Sequence, residues 1–238
     1  RPRTGMVQRV LTHSLQVDPA PTQCTMVQDV FGNTRTFFSL PFTHEQLRVR
    51  AESLLETLPV PAAPPGEPWE AVRERLRYRR GQPYHAATEF SFASPYIPRH
   101  ADFVAYAAES FAPGRPLMQA ASHLMSRIHA DFAYTSNATD AGTPALESLR
   151  LRRGVCQDFA HVMIGCLRSL GLAARYVSGY LLTEPPPGQP RLVGADASHA
   201  WVSVWSPSAD GGGSAQDETT WCDLDPTNDR AAGEAAVT

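Results

Sequence analysis

The sequence predicts an α+β fold in which one amphipathic helix packs on a small antiparallel sheet, preceded by a small all-β N-terminal domain. Three observations predict it. A stretch with helical period, "GVCQDFAHVMIGCLRSLG" (154–171), is followed by three strand-like runs at 174–182, 199–206 and 221–227. Residues 8–57 carry alternation and turn signals in place of helical periods. Between the halves stands "PVPAAPPGEP" (59–68), a proline-rich linker. The expected organisation is therefore a β-sandwich-like domain over 1–58, a linker over 59–68 and a second domain over 69–238.

In the first domain, "VLTHSLQVD" puts Leu11, His13, Leu15 and Val17 on one side of a strand. "FGN" (31–33) marks a turn between "TMVQDV" and "TRTFFSL". "EQLRVRAESLL" alternates Leu47, Val49 and Ala51 with Arg48, Arg50 and Glu52, the pattern of a half-buried antiparallel strand.

In the second domain, helices are expected over 69–78, near 100–111 and over 116–131, the last with Leu117, Ala120, Ala121, Leu124 and Ile128 at helical spacing. "TPALESLR" (143–150) reads as a short helix with Thr143 as N-cap and Pro144 at its first position. In the stretch 154–171, Phe159, Val162, Met163, Cys166, Leu167 and Leu170 form one apolar stripe, and Gly171 closes the helix. "ARYVSGYLL", "HAWVSVWS" and "WCDLDPT" supply the three strands, the last halted by Pro226. "EPPPGQP" (184–190) and "PSADGGGSAQDE" (207–218) read as loops.

Composition narrows the function. With 238 residues, 42% hydrophobic and 19% charged, the chain has the material for real cores and no apolar run long enough to span a bilayer. A net charge of −3 gives no electrostatic case for nucleic acid or a membrane surface. All 21 basic residues are arginine, so a crosslinking enzyme with this sequence could not crosslink itself through lysine. The four cysteines (Cys24, Cys156, Cys166, Cys222) form no CxxC pair and no disulfide framework. Together with the lack of a signal-peptide pattern at Arg1, they lead us to expect a reducing, cytoplasmic setting. No calcium loop, phosphate loop or dinucleotide fingerprint is present, and no cofactor is expected.

The chemistry starts at Cys156, which follows a glycine and opens the helix. There the unpaired backbone N–H groups and the helix dipole favour thiolate over thiol, and the same N–H groups can hold an oxyanion. Gly154 permits a sharp turn and close approach of a carbonyl. A thiol nucleophile is matched by a histidine base, and His199 opens a strand with Trp201 and Trp205 following at alternate positions. The base is matched by a carboxylate that fixes its tautomer. Asp225 and Asp223 both qualify, since positions i and i+2 of a strand share a face. His161, about 140° around the helix from Cys156, reads as a packed histidine. Cys166 reads as inert core and Asp158 as a stabiliser of the helix's first turn.

The blocks "GVCQDFAHVMIGCLRSLGLAARYVSGYL", "ASHAWVSVW" and "WCDLDPTN" resemble those of the transglutaminase-like superfamily, most closely its bacterial branch. Residues 3–57 resemble the N-terminal β domain of that branch without its first strand. Relatives usually continue beyond the point where this chain stops. The resemblance implies a papain/transglutaminase-like core with Cys156 as nucleophile, His199 as base and Asp225, at the "D-P-T" position, as orienting group. It also implies a second oxyanion donor, for which Tyr134 and Gln157 are the candidates. From sequence alone the favoured reading of Tyr134 is a packed aromatic, and that of Gln157 a helix-surface residue or substrate contact.

The implied activity is thiol-dependent acyl transfer on protein or peptide amide bonds, as a cysteine protease, amidase or transglutaminase. Two alternatives stand beside it. One is a non-catalytic binding module that keeps the fold. The other is a zinc site from Cys156, His161, His199 and Cys222, which lacks the paired ligand spacing of structural zinc sites.

Overall fold

The computed structural model describes residues 1–5, 7–59, 66–81, 85–183, 187–188, 193, 198–207 and 221–238. Most of the proline-rich linker and of the loops 184–190 and 207–218 lies outside those residues. Two compact units form, Arg1–Val60 with Val237–Thr238, and Pro61–Ala236.

The first unit consists of two antiparallel ladders. Strand β1 (Gln8–Asp18) comes first, followed by β2 (Gln23–Gln28), β3 (Thr34–Ser39) and β4 (Arg48–Thr57). β1 pairs with β4, and β2 pairs with β3. The β2–β3 turn is built by Asp29, whose Oδ1 accepts from Phe31 N and Asn33 N at 2.9 Å each, while Gly32 takes φ 81°.

Two expectations are corrected here. A bulge between Val10 and Thr12 shifts the register, so Leu11 leaves the line of His13, Leu15 and Val17 and is exposed. β4 is not half-buried: Val49 is 50% and Leu54 57% exposed, because no second layer covers this ladder among the described residues of its unit.

The second unit holds the core. Its helices are α1 (Trp69–Leu76), α2 (Ala101–Ala107) and α3 (Leu117–Asp131), with a 3-10 turn over Ala86–Ser91. Strand β5 (Ala133–Tyr134) follows, then α4 (Ala145–Leu151), β6 (Arg153–Gly154) and α5 (Cys156–Ser169). The remaining strands are β7 (Ala174–Leu181), β8 (Ser198–Trp205), β9 (Trp221–Asp225), β10 (Arg230–Ala231) and β11 (Ala236–Val237), arranged in one sheet in the order β10-β9-β8-β7-β11. β7, β8 and β9 pair antiparallel in sequence order.

Helix α5 buries Phe159, Val162, Met163, Cys166 and Leu167 among Ala200, Val202, Val204 and Leu224 of the sheet. It ends at Leu170, with Gly171 at φ 83° and Leu172 N returning to Leu167 O at 3.0 Å. Arg168 then donates from Nε (3.0 Å) and Nη2 (2.9 Å) to Ala174 O, tying the helix end to the start of β7. On the opposite side α2 crosses α5 at Gly165, where an added Cβ would stand 2.8 Å from Phe103 Cζ. Gly165→Ala is therefore expected to cost about 2 kcal/mol by overpacking, read as a lowered urea midpoint.

The expected helix cap at Thr143 is corrected. Pro144, at ψ 141°, is the N-cap of α4, and Thr143 Oγ1 instead accepts from Asp140 N at 3.0 Å, closing the preceding turn. Among the described residues no helix is long and apolar enough to cross a membrane.

Candidate active site

Cys156 is the first residue of α5, and its placement depends on a buried carboxylate two positions on. Asp158 is 2% exposed. Its Oδ2 accepts from Val155 N (2.8 Å) and Thr139 Oγ1 (2.6 Å), and its Oδ1 from Ser148 Oγ (2.7 Å). One side chain thus joins the start of α5 to α4 and to the segment between β5 and α4, and places negative charge at a helix N-terminus. Gly154 makes room for it: a Cβ there would stand 2.3 Å from Asp158 Oδ2. The glycine serves this close approach as well as the turn, which sequence reasoning did not anticipate.

Beside Gly154 runs a two-residue parallel pair, β5 with β6, that no sequence period announces. Ala133 N donates to Arg152 O (2.9 Å) and Thr135 N to Gly154 O (2.8 Å). This pair sets Tyr134 beside Gly154, two residues before Cys156. The Tyr134 ring centroid is 6.2 Å from that of Phe159, and burial together with the charge of Cys156 raises its hydroxyl pKa. Gln157 Nε2 donates to Ala141 O at 3.2 Å, so its amide is engaged with the segment between β5 and α4.

His199, the second residue of β8, has its side chain fully buried. Its Nε2–H donates to Asp225 Oδ2 at 2.9 Å. Asp223 takes a different partner, accepting from Trp201 Nε1 at 3.0 Å. The ladder explains the division. Asp223 is paired with Ser203 yet bonds Trp201, two residues earlier on β8, and Asp225 bonds His199, two residues earlier again. The Trp201 ring lies against the imidazole, with centroids 6.3 Å apart and planes at 28°.

Burial by itself would lower the His199 pKa. The interactions with Asp225 and then with Cys156, and the charges of both, outweigh it and push the value up to about 9. His199 Nδ1 is sealed from solvent and meets the geometry of no formed hydrogen bond. With Nε2 committed to Asp225, Nδ1 is the nitrogen left to face Cys156.

This shift has a pH signature. A histidine whose folded pKa rises from 6.5 to about 9 contributes stability that is fully present below pH 6.5 and is lost as pH climbs through about 9. The urea midpoint is expected to decline over that window, and Asp225→Asn is expected to flatten the decline.

The turn after β9 holds the carboxylate. Asp225 Oδ1 accepts from Thr227 N (2.9 Å) and Asn228 N (3.4 Å), and Oδ2 also accepts from Asn228 Nδ2 (2.7 Å). Helix α3 anchors the turn: His129 Nδ1 donates to Thr227 O (2.9 Å) and Ser126 Oγ to Asp229 Oδ1 (2.6 Å).

The structure brings Cys156, His199 and Asp225 together, with Tyr134 alongside. It keeps His161 apart, packed between Tyr96 and Tyr176 with centroids at 6.3 and 5.3 Å and with its pKa lowered by burial. Tyr176 was missed from sequence. Its hydroxyl is pushed up to about 12 by burial and by the charges of Cys156 and Asp158. Cys166 is fully buried and its pKa raised by burial, and Cys222 is pushed up to about 11 by burial and Asp223. Among the described residues, no three His, Cys, Asp or Glu side chains converge as metal ligands.

Known proteins share this arrangement of sequence. Residues 104–226 match the profile of the transglutaminase-like superfamily, and residues 1–56 that of the bacterial transglutaminase-like N-terminal region. The chain is 43% identical over 243 residues to an uncharacterized protein of Mycobacterium tuberculosis (strain H37Rv), covering 99% of this chain and 73% of that one. It is 33% identical over 119 residues to a protein-glutamine gamma-glutamyltransferase of Pseudomonas aeruginosa, a stretch covering 49% of this chain and 16% of that protein. In fold it is similar to the crystal structure of a "Putative Cysteine Protease" from Cytophaga hutchinsonii (TM-score 0.69, 19% identity, 100% of this chain and 72% of that one). The chain therefore belongs to the transglutaminase-like superfamily, with a bacterial transglutaminase-like N-terminal region ahead of its transglutaminase-like core.

Proposed function

We propose that this protein is a thiol-dependent acyl-transfer enzyme acting on amide bonds of proteins or peptides, with Cys156 as nucleophile, His199 as acid and base, and Asp225 as the group that orients His199. The observation that carries the proposal is the buried His199–Asp225 pair, whose free ring nitrogen faces a cysteine at a helix N-terminus.

The chemistry follows from those positions. Cys156 Sγ, as thiolate, adds to the substrate carbonyl. The oxyanion that forms is met by the Cys156 backbone N–H and the Tyr134 hydroxyl, with Gln157 as the further candidate donor. The C–N bond breaks as imidazolium Nδ1–H gives its proton to the leaving amine, leaving a thioester. Water or a second amine then attacks the thioester, His199 takes its proton, and the thiolate returns. Water as acceptor makes the enzyme a protease or amidase. An amine makes it a transglutaminase. The resemblance in sequence to a protein-glutamine gamma-glutamyltransferase over half the chain supports including the second outcome.

Alkylation by iodoacetamide near neutral pH, with the labelled cysteine located by mass spectrometry, tests this reading. Fast, selective labelling of Cys156 that is lost in His199→Ala is the expected result. Slow labelling of Cys156, no faster than that of the exposed Cys24, would instead make the protein a binding module that keeps the fold.

A further inference from the structure

Asn228 holds two groups with one side chain. Its Nδ2 donates to Asp225 Oδ2 at 2.7 Å and to Val193 O at 3.2 Å. Its Oδ1 accepts from Val193 N at 2.8 Å. The amide thus pairs with the backbone of residue 193 as one peptide group pairs with another in a ladder, and its remaining donor capacity falls on the oxygen that also receives His199 Nε2–H. Residue 193 lies in the connection between β7 and β8, and β8 carries His199 near its start.

Backbone donors hold the other oxygen of Asp225. Thr227 N and Asn228 N both reach Oδ1, the oxygen turned from the imidazole. Asn228 Nδ2 is the donor that shares Oδ2 with His199.

We propose that Asn228 is a positioning residue of the acyl-transfer site: it aims the Asp225 carboxylate at His199 and couples that aim to the backbone of Val193. This rests on the acyl-transfer reading above. An asparagine suits the task because an amide offers a donor to the carboxylate and an acceptor to the backbone at once, without adding charge beside Asp225. The other charged or titratable groups around the turn have separate partners or positions. His129 donates to Thr227 O, Asp229 accepts from Ser126, Asp223 is held by Trp201, and Arg230 is the ladder partner of Asp225 on β10.

The test is the rate of Cys156 alkylation by iodoacetamide from about pH 5 to pH 8, in wild type, Asn228→Ala and Asn228→Asp. Asn228→Ala is expected to slow labelling about tenfold at every pH, the effect of losing one hydrogen bond to a charged group. Asn228→Asp has the same shape but titrates. Protonated, the introduced carboxyl donates to Asp225 as the amide does. Ionised, it repels that carboxylate, so its pKa lies above the ordinary value of about 4. Its rate relative to wild type is therefore expected to start near unity at low pH and fall about tenfold as the proton leaves. A purely structural contact would not give that profile.

Wild-type rates in both variants across the range, with Cys156 of the wild type labelling fast, would overturn the role of Asn228 and leave the acyl-transfer reading standing. A wild-type Cys156 that labels no faster than a free thiol would overturn both. If the two variants lose the wild-type circular dichroism spectrum, Val193→Pro decides. It removes the N–H given to Asn228 Oδ1 and leaves residues 225–229 unchanged. Slowing by about two- to threefold supports the proposal, and an unchanged rate overturns it.

Discussion

Cys156→Ala is expected to abolish acyl transfer, by at least about a thousandfold, while leaving stability within about 1 kcal/mol of wild type. The two halves of this result have separate causes. Activity goes because the other described thiols of this unit are not placed to replace it: Cys166 is sealed in the core, and Cys222 pairs with Val204, at the other end of β8 from His199. Stability stays because the start of α5 is held by Asp158 on Val155 N, not by the thiol, and alanine is the best helix former. Turnover of a peptide amide and a urea melt on the same preparation check both halves. Full activity in this variant would remove Cys156 from the mechanism. His199→Ala is expected to abolish activity as well, and Asp225→Ala to weaken it less, since the imidazole keeps its packing against Trp201. Asp223→Ala is expected to be milder again. If it proved the damaging one, the orienting carboxylate would have been misassigned.

Asp158→Ala is expected to be the most destabilising single change near the site, at about 3–5 kcal/mol. Ser148 Oγ, Thr139 Oγ1 and Val155 N would each lose their acceptor, and Ser148 is fully buried. Gly154→Ala is expected to act through the same carboxylate. A Cβ 2.3 Å from Asp158 Oδ2 cannot coexist with it, so the side chain would have to leave its three donors. Both variants should therefore show a lowered urea midpoint, and both should lose Cys156 labelling as the helix start loosens. An Asp158→Ala variant that melts with the wild type would show that these hydrogen bonds are replaced by water at no cost.

Much of this protein was legible in its sequence because the signals were local. The stripe from Phe159 to Leu167 and Gly171 define α5, and Pro226 ends β9 because it has no N–H to give the ladder. Cys156, His199 and Asp225 were visible as residue types at the ends of such elements. What alternation could not do was separate Asp223 from Asp225, since both point to one face; the β8–β9 register separated them, by giving one to Trp201 and the other to His199. Nor could it find β5 and β6, whose two residues are too few to carry a period, or the bulge that turns Leu11 aside. Asp158 reads from sequence as a first-turn helix residue and becomes a junction only when Thr139 and Ser148 fold onto it. Asn228 becomes a clamp only when residue 193 is brought beside the turn after β9. Helices and strands follow from side-chain period along the chain, whereas these contacts join residues far apart in sequence, and only tertiary packing brings such residues within hydrogen-bonding distance.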